Sequence, residues 1–185
     1  MTTQIGASLL VLAALAAAPA RGTFTVTSPD LRPGRPIANA QVFKGMDCTG
    51  DNVSPALSWS GAPAATKSYA VTLYDPDAPT GSGWWHWVVY DIPAGTTQLP
   101  SGAGNPDGSQ LVAGATQGRT DFGAPGYGGP CPPKGDKAHR YYLTVFALDV
   151  DKLEVPATAT AANVGFNLNA HQLAKATIMT RFGRP

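Results

Sequence analysis

The chain has 185 residues and a formal net charge of +1, with 14% charged side chains against roughly 25% in ordinary soluble domains. With 21 glycines and 17 prolines, this balance points to a β-rich domain with many shaped loops. No block of Lys and Arg interleaves with aromatics, so the electrostatic term that dominates nucleic-acid binding is missing, and no long apolar run follows residue 20 to serve as a transmembrane anchor.

Residues 1–20 read as a cleaved signal peptide. Residues 9–18 are almost wholly apolar, too short to span a bilayer, and lead into Ala18-Pro19-Ala20, a small-x-small pattern that suits signal peptidase. Residues 1–6 contain no Lys or Arg, so only the terminal amine supplies positive charge. The other reading of this segment is an N-terminal arm. Export implies a periplasmic or secreted protein, and in that setting Cys48 and Cys131 can form a disulfide; two free buried thiols are the alternative.

Residues 21–185 show no composition shift, charge block or repeat and read as one domain. Short strands are expected at 23–27, 40–43 and 57–59, between Pro, Gly and Asn turns. Residues 68–74 alternate, with Tyr69, Val71 and Leu73 on one face and Ala70, Thr72 and Tyr74 on the other. Residues 85–92 form a second strand, rich in aromatic and β-branched side chains. Between 92 and 139 lies a long Gly- and Pro-rich loop region, followed by a strand over 139–148 with His139, Tyr141, Leu143, Val145 and Ala147 on one side. The spacing of Leu173, Thr177, Ile178 and Phe182 predicts a C-terminal helix over 169–182, capped by Asn169 and ended by Gly183, with a turn or two of helix at 158–163.

Two Pro-flanked motifs concentrate titratable groups at strand ends. The first is Asp75-Pro76-Asp77-Ala78-Pro79, and the second Gly129-Pro130-Cys131-Pro132-Pro133-Lys134-Gly135 followed by His139-Arg140-Tyr141. Prolines fix φ and remove backbone donors, so they end sheet ladders and stiffen loops. A hairpin over Gly81-Ser82-Gly83 that pairs Leu73 with Val88 and Val71 with Tyr90 would bring Asp75 opposite His86. Asp75 and Asp77 share one side of an extended segment, as do His139 and Tyr141, which leaves Arg140 opposite as an ion-pair partner. Trp84, Trp85 and Trp87 supply apolar walls. A cleft of this kind can give a phosphate oxyanion donors from His86, His139, Tyr141 and loop N–H groups, while Asp75 or Asp77 receives an ammonium.

Taken together, these motifs and Trp84-Trp85-His86-Trp87 resemble the signature of the phosphatidylethanolamine-binding protein family. Cys48-Thr49-Gly50-Asp51-Asn52-Val53-Ser54-Pro55 and Leu57-Ser58-Trp59 are similar to its bacterial, Raf-kinase-inhibitor-like branch, which also accounts for the glycosylation-like Asn52-Val53-Ser54. The resemblance implies a mainly β fold, a β-sandwich of two antiparallel sheets with a C-terminal α-helix. It also implies one small anion pocket for phosphate, acetate or the phosphatidylethanolamine headgroup, built from Asp75, Pro79, His86, Pro132, His139 and Tyr141 with Trp84 nearby. Some family members inhibit kinases or serine proteases. Trp85 before His86 and Cys131 before Pro132-Pro133 depart from the eukaryotic pattern, so eukaryotic partners do not carry over.

The expected function is therefore an exported binding protein for a small anion or phospholipid headgroup, with no enzymatic activity, cofactor or metal. A protein inhibitor of a kinase or serine protease is one alternative, and a phosphoester hydrolase using the same aspartates and histidines is another. There is no Gly-x-Ser-x-Gly elbow, His-Glu-x-x-His helix or Walker loop to support a hydrolase.

Overall fold

The fold is built around two long antiparallel ladders, as a computed structural model describing residues 22–185 shows. The segment expected to be a signal peptide lies outside the described residues. In chain order the strands are β1 (Thr25–Thr27), β2 (Lys44–Gly45), β3 (Cys48–Thr49), β4 (Leu57–Ser60), β5 (Ser68–Asp75), β6 (Trp84–Pro93), β7 (Gln98–Leu99), β8 (Thr116–Gln117) and β9 (His139–Leu148). Helix α1 (Ala161–His171) and strand β10 (Gln172–Phe182) follow. One sheet has the order β10-β9-β5-β6-β8 and a smaller one β1-β4-β7, while β2 and β3 form a separate ribbon; all these pairings are antiparallel.

Two-residue alternation along β5 and β9 sorts side chains to opposite faces of the large sheet. Val71, Leu73, Leu143 and Val145 point inward and pack with Trp87, Val89 and Ile178 against Phe24, Leu57, Trp59 and Leu99 on the small-sheet side. Ala70, Val88, Phe146 and Leu148 point the other way and are covered by Ala161, Val164 and Leu168 of α1. Fully burying one such aliphatic side chain contributes about 1.5 to 3 kcal/mol, so both faces are apolar for a reason. The result is the expected β-sandwich of antiparallel sheets, with one helix on the outside.

Three local expectations are corrected. Residues 40–43 are not a strand: Asn39–Gln41 is a 3-10 turn, and the backbone around it bonds to loops, with Phe43 N donating to Pro130 O (3.1 Å) and Val53 N to Ala40 O (2.9 Å). The helix predicted over 169–182 is instead the last turn of α1 and then β10. Ala174, Ala176, Ile178 and Thr180 recur every second residue on the face toward the core, and this period, with a long ladder to β9, overrides the helical spacing. The true helix begins at the Thr160 N-cap, whose side chain accepts from Asn163 N (3.2 Å), so the short helical stretch foreseen at 158–163 is its start.

The third correction concerns register. Leu73 pairs with Trp87, Val71 with Val89 and Asp75 with Trp84, and the ladder between β5 and β6 is irregular twice. His86 is the extra residue between Trp85, opposite Tyr74, and Trp87, opposite Leu73. A bulge re-aims the side chain it carries, so His86 meets the cavity rim from the bulge rather than as the rung partner of Asp75. Cys48 and Cys131 are joined as a disulfide that ties β3 to the Pro-rich loop across 83 positions. On the chain-entropy account, a loop of that length is worth about 4 to 5 kcal/mol at most.

Candidate functional site

At one end of the large sheet, the inner faces of β5, β6 and β9 open into a cavity of about 170 Å³. Asp75 ends β5 and His139 starts β9. Asp75 follows the Tyr74–Tyr142 rung, so His139 stands diagonal to it, and His139 Nδ1 bonds Asp75 Oδ2 at 2.8 Å. Both side chains are buried, at 3% and 5% exposed, which makes their mutual bond obligatory. The other ring nitrogen of His139 faces Asp136 Oδ2 at 3.5 Å.

His86 is also buried, but carbonyl groups are what hold it. Its Nδ1 donates to Gly128 O at 2.7 Å and lies 3.2 Å from Gly129 O. The ring meets Phe122 and Tyr141 edge-on, with centroids 5.5 and 5.3 Å away. Burial outweighs the opposing pull of the Gly128 carbonyl and the Asp75 charge, so the imidazole pKa lies below its ordinary range. Tyr141 is fully buried beside the Asp75 carboxylate, and its hydroxyl has no hydrogen bond of standard geometry to any described residue. Burial, with Asp75 adding to it, raises the phenol pKa well above the usual range.

The loop that anchors His86 is held from below by Asn52. Its Nδ2 donates to Tyr127 O (3.0 Å), its Oδ1 accepts from Gly129 N (2.8 Å), and Gly128 N returns a bond to His86 O (2.9 Å). Two adjacent glycines allow the close approach of this loop to its neighbours: a Cβ on Gly128 would fall 2.3 Å from the Phe122 ring, and one on Gly129 would fall 2.1 Å from Gln41 O. Asp121 Oδ2 accepts from Trp85 N (2.8 Å) and so fixes the neighbouring Phe122, which meets Trp84 edge-on at 5.4 Å.

Of the residues singled out in the sequence, Asp75, His86, His139 and Tyr141 converge on the cavity, and Pro79, Trp84 and Pro132 help to line it. Asp77 is not brought there. Its Oδ1 accepts from Arg140 Nη2 (2.6 Å), and its Oδ2 accepts from Arg140 Nε (2.9 Å) and Arg140 N (2.8 Å). The guanidinium holds the Asp77 carboxyl at a pKa of about 2. Arg140 stands on the face opposite His139 and Tyr141, as alternation along β9 requires.

Sequence reasoning missed Phe122, Met46 and the anchoring role of Asn52. Phe122 carried a signal, being with Tyr127 one of two aromatics in the long Gly-rich loop region. Met46 is 65% exposed at the turn of the β2–β3 ribbon, at φ 50°, and lines the cavity where the disulfide and the Phe43 N–Pro130 O bond hold that part of the chain to the Pro-rich loop. Among the described residues, no group of three or more His, Cys, Asp or Glu side chains is arranged to hold a metal ion, and no helix is long and apolar enough to cross a membrane.

Comparison with known proteins bears on this geometry. The sequence profile of the family described as phosphatidylethanolamine-binding protein matches residues 27–183. The chain is 51% identical over 178 residues to the UPF0098 protein YbcL of Escherichia coli, covering 96% of each. It is 54% identical over 158 residues to YbhB of the same organism, covering 84% of this chain and 97% of that one. The crystal structure of Escherichia coli YbcL, described as a new member of the mammalian PEBP family, superposes with a TM-score of 0.86 over 89% of this chain and 100% of that one.

Proposed function

This chain belongs to the phosphatidylethanolamine-binding protein family, and from that premise we propose that it is an exported binding protein whose cavity takes a small oxyanion, phosphate or the phosphate of a phosphoethanolamine-like headgroup. The observation that carries this reading is the Tyr141 hydroxyl, a buried donor beside the cavity and the Asp75 carboxylate that makes no hydrogen bond of standard geometry to any described residue. Buried polar groups are nearly always satisfied, and each exception asks for a partner of matching chemistry. An oxyanion oxygen is such a partner for an O–H group.

Size supports the same reading. At about 170 Å³ the cavity falls below the roughly 300 Å³ at which drug-sized pockets begin, so it suits an ion or a headgroup rather than an acyl chain. The aliphatic hydroxyl and the cysteine sulfur at its wall are already committed, since Thr80 Oγ1 donates to Gly83 O and Cys131 is in the disulfide. This favours binding over turnover. Export rests on the apolar segment ending in Ala18-Pro19-Ala20.

Asp75 repels an anion unless a proton is shared, and a protonated His86 would become a donor. Phosphate affinity is therefore expected to rise as pH falls from neutral to mildly acidic. Calorimetry across that range checks this, and an affinity that stays flat or weakens toward acid would refute it.

A further inference from the structure

Resting on the oxyanion reading above, we propose that the cavity selects oxyanions that can bring a proton with them, phosphate and phosphomonoesters, over sulfate and phosphodiesters, because His86 presents a lone pair to the ligand. The bonds on the far side of the ring set this up. Nδ1 faces the carbonyl oxygens of Gly128 and Gly129, at 2.7 and 3.2 Å. Carbonyls only accept, so Nδ1 carries the hydrogen. A neutral imidazole has one N–H, which leaves Nε2, the remaining ring nitrogen, as an acceptor at the cavity wall.

The surroundings of His86 favour the neutral ring. It is 4% exposed, with its edges against Phe122 and Tyr141. The charged and titratable groups that face it are Asp75 from β5, His139 and Tyr141 from β9, and Asp121 from the loop after β8. Neither carboxylate bonds the imidazole: Asp75 bonds His139, and Asp121 accepts from Trp85 N. No Lys or Arg is among the residues that line the cavity. A fully deprotonated dianion would thus meet the Nε2 lone pair and the Asp75 carboxylate with no Lys or Arg to offset them.

One proton between the ligand and Nε2 removes this conflict. The complex has the same composition whether that proton is written as P–O–H donating to Nε2 or as Nε2–H donating to P–O⁻. A phosphomonoester has its second pKa at about 6, so near neutral pH it supplies or acquires this proton at little cost. Sulfate has the same shape and charge but holds no proton at neutral pH, so binding it requires protonating His86 against its burial. A dialkyl phosphate has one charge and no P–O–H group. Volume cannot separate sulfate from phosphate, whereas the proton can.

Calorimetry of the full chain at about pH 7.5, in buffers of different ionisation enthalpy, tests the proposal with inorganic phosphate, methyl phosphate, sulfate, dimethyl phosphate and glycerophosphoethanolamine. Methyl phosphate is expected to bind with uptake of about one proton. Sulfate and dimethyl phosphate should bind at least about tenfold more weakly, equivalent to one unit or more of pKa, with the sulfate gap narrowing as pH falls. Equal affinity for phosphate and sulfate overturns the proposal while leaving the oxyanion reading intact. So does tighter binding of glycerophosphoethanolamine than of methyl phosphate without proton uptake, which would point to the lipid headgroup as the source. Failure of all five to bind overturns the oxyanion reading as well.

His86→Gln, whose amide can turn to donate or accept, should lose the preference for phosphate over sulfate; an unchanged preference counts against the proposal. If that variant does not fold, nitrogen-15 spectra of the unaltered protein decide the point. A protonated Nε2 in the free protein at neutral pH overturns the proposal, and an unprotonated Nε2 that gains a proton or a hydrogen bond with phosphate upholds it.

Discussion

Asp75 and Asp77 stand two residues apart at the end of one strand, yet the fold treats them oppositely. Asp75 is buried against His139 and borders the cavity, where the Tyr141 hydroxyl and one nitrogen of His86 retain unused hydrogen-bonding capacity. Asp77 lies on the outer side and is saturated by three donors from Arg140. An ion pair with three of about four carboxylate acceptor sites engaged offers little to a ligand, whereas a buried group with spare capacity is costly until a ligand engages it. The contrast separates the part of the motif that holds the loop from the part that can bind.

The sharpest way to break this contrast is to remove each carboxylate in turn. Asp75→Ala leaves His139 buried without its partner and is expected to cost about 3 to 5 kcal/mol of unfolding free energy, measured by urea denaturation. Asn52→Ala removes both bonds that clamp the Tyr127–Gly129 loop and should cost about 1 to 3 kcal/mol. It should also weaken phosphate binding by loosening the carbonyls that orient His86, which calorimetry would show; unchanged affinity would mean that the loop is held by other contacts.

Two smaller effects separate by pH. His86 has a folded pKa below its ordinary 6.5, so the unfolded chain takes up a proton first as pH falls. The free protein should therefore lose stability from about pH 6.5 downward, until the folded pKa is passed, and His86→Gln should flatten that limb. Phosphate should oppose the trend, because the complex holds the proton. Asp77 behaves in a lower window: its pKa drops from 3.8 to about 2, so its contribution is present above 3.8 and is lost as pH falls toward 2. Asp77→Asn should remove that acid limb and leave phosphate affinity at neutral pH within about twofold, as expected of a partly exposed pair outside the cavity. A large loss of affinity would place Asp77 in the site after all.

Much of this was legible in the residues. Alternation along 68–74 and 139–148 assigned side chains to the two faces of the sheet correctly and set Arg140 apart from His139 and Tyr141, because a pleated strand leaves each side chain a choice of only two faces. The C-terminal segment misled because Leu173, Thr177, Ile178 and Phe182 fit a helical period while Ala174, Ala176, Ile178 and Thr180 fit a strand. Short apolar patterns often support both, and here a ten-residue ladder to β9 decided the matter. His86 was found by its company in the motif, but its route into the cavity was not, since one extra residue in β6 changes which partner it meets.

The sequence by itself determined the long strands with their two faces and the two Pro-stiffened motifs, because periodicity and proline act locally, and the resemblance those motifs carry supplied the sandwich. Only the tertiary structure decided that Asp75 bonds His139 rather than His86, that Asp77 is given over to Arg140, and that Asn52 holds the loop at His86 from 77 positions away from Gly129. Those outcomes depend on register and on loops closing across the chain, and no local pattern encodes either. The two Pro-flanked motifs thus become one site whose ligand must come to terms with a lone pair on His86.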